Sequence, residues 1–128
     1  MNFITKSHGN SNAERVEAIS LDQFCRDCLI DQVDLLKLDV QGHEHSALKG
    51  AELLIRAGRV RTIFMELNWG TKAGGPSPAD ESIRVLAEAD FLFSKPSTIL
   101  NWKKAGDWLR GLGDVVARRA VHKATQPC

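Results

Sequence analysis

The pattern of hydrophobic and polar positions predicts four β-strands. The run from Val33 to Val40 is largely apolar and ends at Gln41-Gly42, which is typical of a buried strand in a parallel sheet. The segment from Arg61 to Leu67 alternates with a period of two, which predicts a second strand. Two shorter runs, Phe91 to Phe93 and Val115 to Ala117, are candidates for a third strand and a last one.

Helical periodicity fills the intervals between these strands. Ser20, followed three residues later by Gln23, predicts a capping box at the start of a helix that reaches Leu29. The apolar residues from His43 to Arg56 repeat at helical spacing and predict one continuous helix. A third helix starts at the cap Ser77 with Pro78 in its first position. Its predicted inner face consists of Ile83, Leu86 and Ala87.

This order of elements implies an α/β fold, with a mostly parallel sheet and helices against its faces. In such sheets ligands collect at the carboxyl ends of the strands. The positions to inspect are therefore residues 39–44 after the first strand and residues 66–70 after the second.

The composition fits one soluble domain without a second one, since 43% of the 128 residues are hydrophobic and 26% are charged. A net charge of +1 does not favour nucleic acid as a partner. The stretch from Trp102 to Arg110 does mix aromatic and cationic side chains as single-strand binders do, but a helix whose tryptophans pack on the core explains it as well. No run is long and apolar enough for a membrane span, and no signal peptide is recognised, so we predict a cytoplasmic protein.

Cys25 and Cys28 have the spacing of a redox pair or of half a zinc site. They fall on the apolar face of the first helix, and no second pair of ligands follows them. We therefore predict two buried, reduced thiols, a reduced Cys128 and no metal site.

Polar residues at the strand ends are the candidates for chemistry. Lys37 and Asp39 share one face of an otherwise apolar strand, and Glu66 has the matching place on the next strand. Either these side chains hydrogen-bond to each other and to a neighbouring loop, or they face a ligand cleft. The cleft is favoured for Asp39, which lies at the carboxyl end of its strand.

The cluster His43-Glu44-His45 lacks the spacing of a metalloprotease motif, because Ala47 stands where the second histidine is required. Glu44 could simply complement the positive N-terminus of the helix, with a solvated histidine beside it. Alternatively, His43 or Glu44 joins Asp39 in a site. The chain also contains no Gly-x-Gly-x-x-Gly, no P-loop and no Gly-x-Ser-x-Gly motif, so nucleotide-phosphate and serine-hydrolase functions lack their central element.

The strand–turn–helix segment closely resembles the FkbM family of S-adenosylmethionine-dependent methyltransferases. Three further segments are similar to parts of that family. They match the segment that leads into its fourth strand, its fifth strand and its closing strand. The segments that carry it are Val33-Asp-Leu-Leu-Lys-Leu-Asp-Val-Gln-Gly-His-Glu44, Leu48-Lys-Gly-Ala51, Ile19-Ser-Leu-Asp-Gln-Phe24, Ile63-Phe-Met-Glu66 and Gly113-Asp-Val-Val-Ala-Arg118.

This resemblance implies a Rossmann-like class I methyltransferase fold and methyl transfer to a hydroxyl of a small molecule, a sugar or another secondary metabolite. Asp39 would accept the hydroxyl proton or orient His43 as its catalytic partner. The substrate cleft would be lined by Lys37, Gln41, Glu44, Glu66 and Asn68. A divalent metal at Asp39 and Glu66 has too few ligands to be asserted.

Family members begin with a glycine-rich turn that cradles the cofactor and an acidic residue that holds the ribose, and this chain starts downstream of both. By resemblance it is the C-terminal half of a single methyltransferase domain. We expect that S-adenosylmethionine does not bind measurably to this chain alone.

The alternative is a non-catalytic α/β module that binds a partner through an exposed sheet edge. If the strand that pairs with it in the family is missing, as the resemblance to a C-terminal half implies, the strand from Leu35 to Val40 is itself a sheet edge, and we expect the chain to self-associate there or to recruit a partner chain.

Overall fold

The structure is a computed structural model that describes residues 15–70, 74–98 and 101–121. Cys128 and residues 71–73 of the loop after the second strand lie outside the described residues. The elements are α1 (Leu21–Asp27), β1 (Val33–Leu38), α2 (Glu44–Lys49), α3 (Glu52–Arg56), β2 (Val60–Glu66), α4 (Pro78–Glu88), β3 (Phe91–Ser94) and β4 (Asp114–Arg119), with short 3-10 helices at Pro96–Thr98 and Asp107–Leu109. In this part of the chain no helix is both long and apolar enough to cross a membrane.

The predicted α/β class is confirmed, and the four strands form one sheet in the order β1-β2-β4-β3. Strands β1, β2 and β3 run in one direction, and β4 runs in the opposite direction between β2 and β3. The expectation of a mostly parallel sheet is therefore wrong for the pairing, since only β1 and β2 form a parallel pair. The reason is that the described residues between β3 and β4, 95–98 and 101–113, contain no crossover α-helix, and the chain returns so that the two strands are antiparallel.

The described helices cover one face of the sheet, not both as predicted. Their buried side chains join a single cluster with the inward-facing residues of the strands, among them Leu38, Ile63 and Met65. Right-handed crossovers from β1 to β2 and from β2 to β3 move the same way across the sheet, so their helices lie on the same side. In the described part of the sheet β1 is the outermost strand on its side, where the incomplete-fold interpretation put it, and on the other face Leu35 is 63% exposed, so β1 is not the buried strand that its composition predicted.

The helix predicted from His43 to Arg56 is divided at Gly50 and Ala51 into α2 and α3. The division is stabilised from a distance, because the carboxylate of Asp22 on α1 accepts hydrogen bonds from the backbone N–H groups of Leu53 and Leu54, both at 3.0 Å. These groups are orphan donors at the start of α3, and a carboxylate is a favourable acceptor there. A long-range cap from α1 thus stabilises the start of α3.

The predicted starts of α1 and α4 are confirmed. The Ser20 hydroxyl accepts from the backbone N–H of Gln23 at 3.1 Å, but the Gln23 side chain turns to Asp27, so only half of that capping box forms. On α4 the capping box is complete. The inner face of α4 consists of Ala79, Ser82 and Leu86, with Ile83 half-buried against the core.

Two burial predictions are wrong. Ala87 is exposed, because at helical spacing it follows Leu86 onto the solvent side of α4. Cys25 is buried as predicted, whereas Cys28 is exposed because α1 ends at Asp27 and the chain then turns away at Leu29, whose φ is 55°.

The segment from Trp102 to Leu112 is irregular except for one 3-10 turn. Its backbone pairs with β3 between Lys103 and Phe93. The ring of Trp102 lies under the Arg118 guanidinium at 4.2 Å, and Trp108 is half-buried against the core. The helix predicted for this stretch does not form, while Trp108 packs against the core as that interpretation expects.

Candidate functional site

Three acidic residues occupy neighbouring register positions where β1 and β2 end and β4 begins. Glu66 is the register partner of Asp114, and beyond this pair the backbone N–H of Leu67 donates to the carbonyl of Gly113 at 2.6 Å. Asp39 directly follows Leu38, whose register partner is Met65, so Asp39 comes level with Glu66. Because paired residues share a face, Asp39, Glu66 and Asp114 belong to the face that the described helices leave open.

A tight left-handed turn follows β1. The backbone N–H of His43 donates to the carbonyl of Val40 at 3.2 Å, and both central residues have positive φ, 50° at Gln41 and 89° at Gly42. Positive φ at both positions is the mark of a type I′ turn. The turn reverses the chain between β1 and α2 and brings the Gln41 side chain back to Asp39, where Nε2 donates to Oδ1 at 3.3 Å.

Asn68 connects this turn to the end of β2. Its side-chain Nδ2 lies against Gly42, where a Cβ would approach it to 3.0 Å. Its Oδ1 accepts from the backbone N–H of Gly70 at 3.0 Å, and its backbone carbonyl accepts from Ala79 at the start of α4 at 2.9 Å. Asn68 thus contacts the loop after β1 and shapes the loop after β2.

Glu44 was predicted to line a substrate cleft, but it is buried, with only 1% of the residue exposed. Its Oε1 accepts from the backbone N–H of Gly42 at 3.2 Å, and its Oε2 is buried without a hydrogen-bond partner in the part of the chain that the structure describes. As the first residue of α2, it folds back over the preceding turn.

The other predicted site residues are exposed and lie on β1 or close to the ends of β1 and β2. His43 is exposed at the N-cap of α2 and forms no side-chain cap bond, so the hydrogen bond at Asp39 comes from Gln41 and not from His43. Lys37 is exposed on the open face, at the register position of Phe64. Asp39, Gln41, Glu66 and Asn68 are exposed.

The start of α4 closes the loop that follows β2. The carboxylate of Asp80 accepts from the Ser77 hydroxyl at 2.7 Å and from the Ser77 backbone N–H at 3.1 Å. These two hydrogen bonds hold the pKa of Asp80 below its ordinary value of 3.8. This carboxylate has a structural role, since it caps the helix and is not directed to the strand ends.

Sequence reasoning missed Asp114 and the contact between Gly42 and Asn68. Asp114 begins the closing strand, and no local pattern shows that this strand inserts beside β2. The Gln41-Gly42 pair did mark the end of β1, but its contact with Asn68 joins residues of two different loops.

A groove of about 620 Å³ lies elsewhere, between the α2–α3 pair and α4. Its cations are largely matched by neighbouring carboxylates: Arg84 contacts Glu81 and Glu88 at 3.0 Å each, and Arg56 contacts Glu52 at 2.6 Å. It lies along the helices, away from the strand ends. We therefore place the candidate site at the strand ends.

Among the described residues no group of three or more histidine, cysteine or acidic side chains is arranged to hold a metal ion. A family model described as the methyltransferase FkbM domain matches residues 3–93. No curated protein and no solved structure matches the chain.

Proposed function

The chain belongs to the FkbM methyltransferase domain family, and from this premise we propose that it serves the S-adenosylmethionine-dependent O-methylation of a small molecule, a sugar or another secondary metabolite. The four-stranded sheet and its helices are consistent with part of a methyltransferase fold. In this proposal the described residues form the side of the site that receives the hydroxyl acceptor.

The observation that supports this proposal is the group of polar side chains at the strand ends. Asp39, Glu66 and Asn68 are exposed there on neighbouring strands, and Gln41 approaches Asp39 from the turn. Carboxylates and amides at the open carboxyl edge of a sheet are suited to binding and orienting a polyhydroxylated acceptor.

Asp39 is the proposed base. Its Oδ1 accepts a hydrogen bond from Gln41, which fixes the carboxylate and leaves Oδ2 to accept the proton of the acceptor hydroxyl. Loss of that proton makes the acceptor oxygen the nucleophile, and its alignment is the second requirement of the reaction. Glu66 and Asn68 would orient the acceptor through its other hydroxyl groups.

S-adenosylmethionine supplies the methyl group in this chemistry, but the described residues do not form a cradle for it. In the turn after β1 the one glycine, Gly42, has the Asn68 amide on the side where a Cβ would lie, and its N–H already donates to Glu44. Donor binding is therefore assigned to none of the described residues. We expect a calorimetric titration of the purified chain with S-adenosylmethionine to show no binding, and micromolar affinity would contradict this.

The proposed reaction is tested by a methyl-transfer assay with radiolabelled S-adenosylmethionine and a panel of hydroxyl acceptors. The variants are compared in a form of the protein that is active in this assay. Asp39→Ala should abolish transfer and leave the fold intact, because an exposed strand-end residue contributes little to packing. Asp34→Asn is the matched control, since Asp34 is an exposed aspartate at the other end of β1 that pairs with Arg61. Retained activity in Asp39→Ala would exclude Asp39 as the base, and transfer to nitrogen or carbon would contradict O-methylation.

A second candidate, a non-catalytic interaction module, is favoured by the edge of the sheet. Strand β1 is the last strand on its side in the described part of the sheet, and Leu35 is exposed there. Next to it, a groove of about 360 Å³ is lined by Ile19, Phe24, Leu36 and Leu38 among others. An apolar edge that is unpaired among the described strands, beside such a groove, would bind a further strand.

Light scattering combined with hydrogen exchange at low micromolar concentration tests this candidate. Self-association that is lost in Leu35→Lys would support it, because a second cation would then interrupt the edge. A monomer with strongly protected amides from Leu35 to Val40 would show that the edge is already covered and would exclude it.

A further inference from the structure

We propose that Glu44 is a positioning residue, whose buried carboxylate holds the Gln41–Gly42 turn and thereby fixes Asp39 and Gln41 toward the acceptor. The proposal rests on the proposed function for its catalytic meaning. Its structural content is independent of that function, since it concerns which group holds the turn after β1.

The backbone conformation of this turn is unfavourable by itself and needs stabilising contacts. Gln41 has a φ of 50°, a left-handed conformation that is disfavoured for a residue with a Cβ atom. The hydrogen bond from His43 to Val40 closes the turn, but at 3.2 Å it is the only backbone hydrogen bond of the described structure across it. A conformation of this kind persists when the surrounding structure over-determines it.

Glu44 supplies a second constraint. Its Oε1 accepts from the backbone N–H of Gly42 at 3.2 Å, inside the turn. With only 1% of the residue exposed, the carboxylate is not available to an acceptor at the strand ends, and it reaches the site through this backbone group. Glu44 is therefore a residue that acts through its neighbours.

The burial of this carboxylate is unfavourable in itself, because Oε2 has no hydrogen-bond partner among the described residues. A leucine would fill the same space without an unsatisfied polar atom, but it would leave the Gly42 N–H without its acceptor. The contact with Gly42 gives the buried carboxyl group a specific role that a hydrophobic side chain cannot supply.

The position of the turn determines the positions of three side chains at the candidate site, those of Asp39, Gln41 and Asn68. Gln41 donates from Nε2 to Asp39 Oδ1 at 3.3 Å, and Asn68 rests its Nδ2 against Gly42. A shift of the turn would therefore displace the proposed base, its hydrogen-bond donor and the amide at the end of β2 together. Such coupled support is what precise positioning of a reacting group requires.

Amide-resolved NMR of the whole chain tests the proposal, with Glu44→Leu and Glu44→Gln as the variants and Glu88→Gln, an exposed glutamate of α4, as the control. In Glu44→Leu we expect the Gly42 amide to exchange about tenfold faster, as the loss of one hydrogen bond implies. The side-chain amide resonances of Gln41 should shift at the same time. In Glu44→Gln the amide oxygen still accepts from Gly42, so most of the protection should return.

Two results would overturn the proposal. One is unchanged exchange at Gly42 and unchanged Gln41 resonances in both Glu44 variants. The other is a uniform acceleration over α2 and α4 with no excess at Gly42, which would mean that Glu44 contributes to stability alone. If Glu44→Leu does not fold, the Gly42 amide proton in Glu44→Gln decides, since exchange of a charged for a neutral acceptor must shift its resonance. No methyl transfer is measured, so failure of the proposed function leaves this test intact.

Discussion

Replacing Asp22 with alanine removes the group that starts α3 from another helix. Its carboxylate accepts from the backbone N–H groups of Leu53 and Leu54, each at 3.0 Å. The Leu53 N–H lies at the surface, where water can replace the lost acceptor, whereas the Leu54 N–H is partly buried. Since the loss of a helix cap costs about 0.5–2 kcal/mol and the acceptor here is charged and shared by two donors, we expect the free energy of unfolding to fall by about 2 kcal/mol.

Urea denaturation followed by circular dichroism measures this change, and the dependence on denaturant should stay the same. Asp22→Asn keeps one acceptor oxygen without the charge, so we expect about half of the loss. Asp27→Ala, on the same helix, is the control, because its carboxylate contacts only the exposed side-chain amide of Gln23. If Asp22→Ala changes the stability by less than about 0.5 kcal/mol, as an ordinary surface substitution does, the long-range cap does not support α3.

Two further changes test the loops at the strand ends. Gly42→Ala should lower the free energy of unfolding by about 1–2 kcal/mol in thermal denaturation, because φ is 89° there and a Cβ would meet Asn68 Nδ2 at 3.0 Å; an unchanged melting temperature would show that the turn readily rearranges. Ser77→Ala should destabilise the protein above pH 3.8 and progressively less below it, because the folded-state pKa of Asp80 is depressed and its contribution to stability is lost as the pH falls through that value. A stability difference that stays constant down to pH 2 would contradict this assignment.

The elements that the sequence predicted correctly are those whose causes are local. Strand β2 follows from strict alternation, with Ile63 and Met65 fully buried on one side. The start of α4 follows from Ser77 and Asp80, which are only three residues apart and form the cap by themselves. The polar ends of β1 and β2 were likewise correctly located, because the carboxyl end of a strand can be identified from its pattern.

The features that the sequence did not reveal depend on distant contacts. The division between α2 and α3 is capped by Asp22, about thirty residues earlier in the chain. The exposure of Leu35 contradicts the buried strand that composition predicted, because a strand's surroundings depend on which distant strands pair with it. The burial of Glu44 has the same origin, since an acidic residue in the first turn of a helix is ordinarily solvated and only the left-handed turn before it directs the carboxylate inward.

Both loops at the candidate site end in a carboxylate from the first turn of the following helix. Asp80 reaches back to the backbone N–H of Ser77 at 3.1 Å, and Glu44 reaches back to that of Gly42 at 3.2 Å. Each loop is thus held by its strand at one end and by a helix start at the other, while Asn68 joins the two. The exposed groups between these attachments can therefore vary in chemistry without loss of their positions, because the carboxylates that hold the loops are not the ones that face the acceptor.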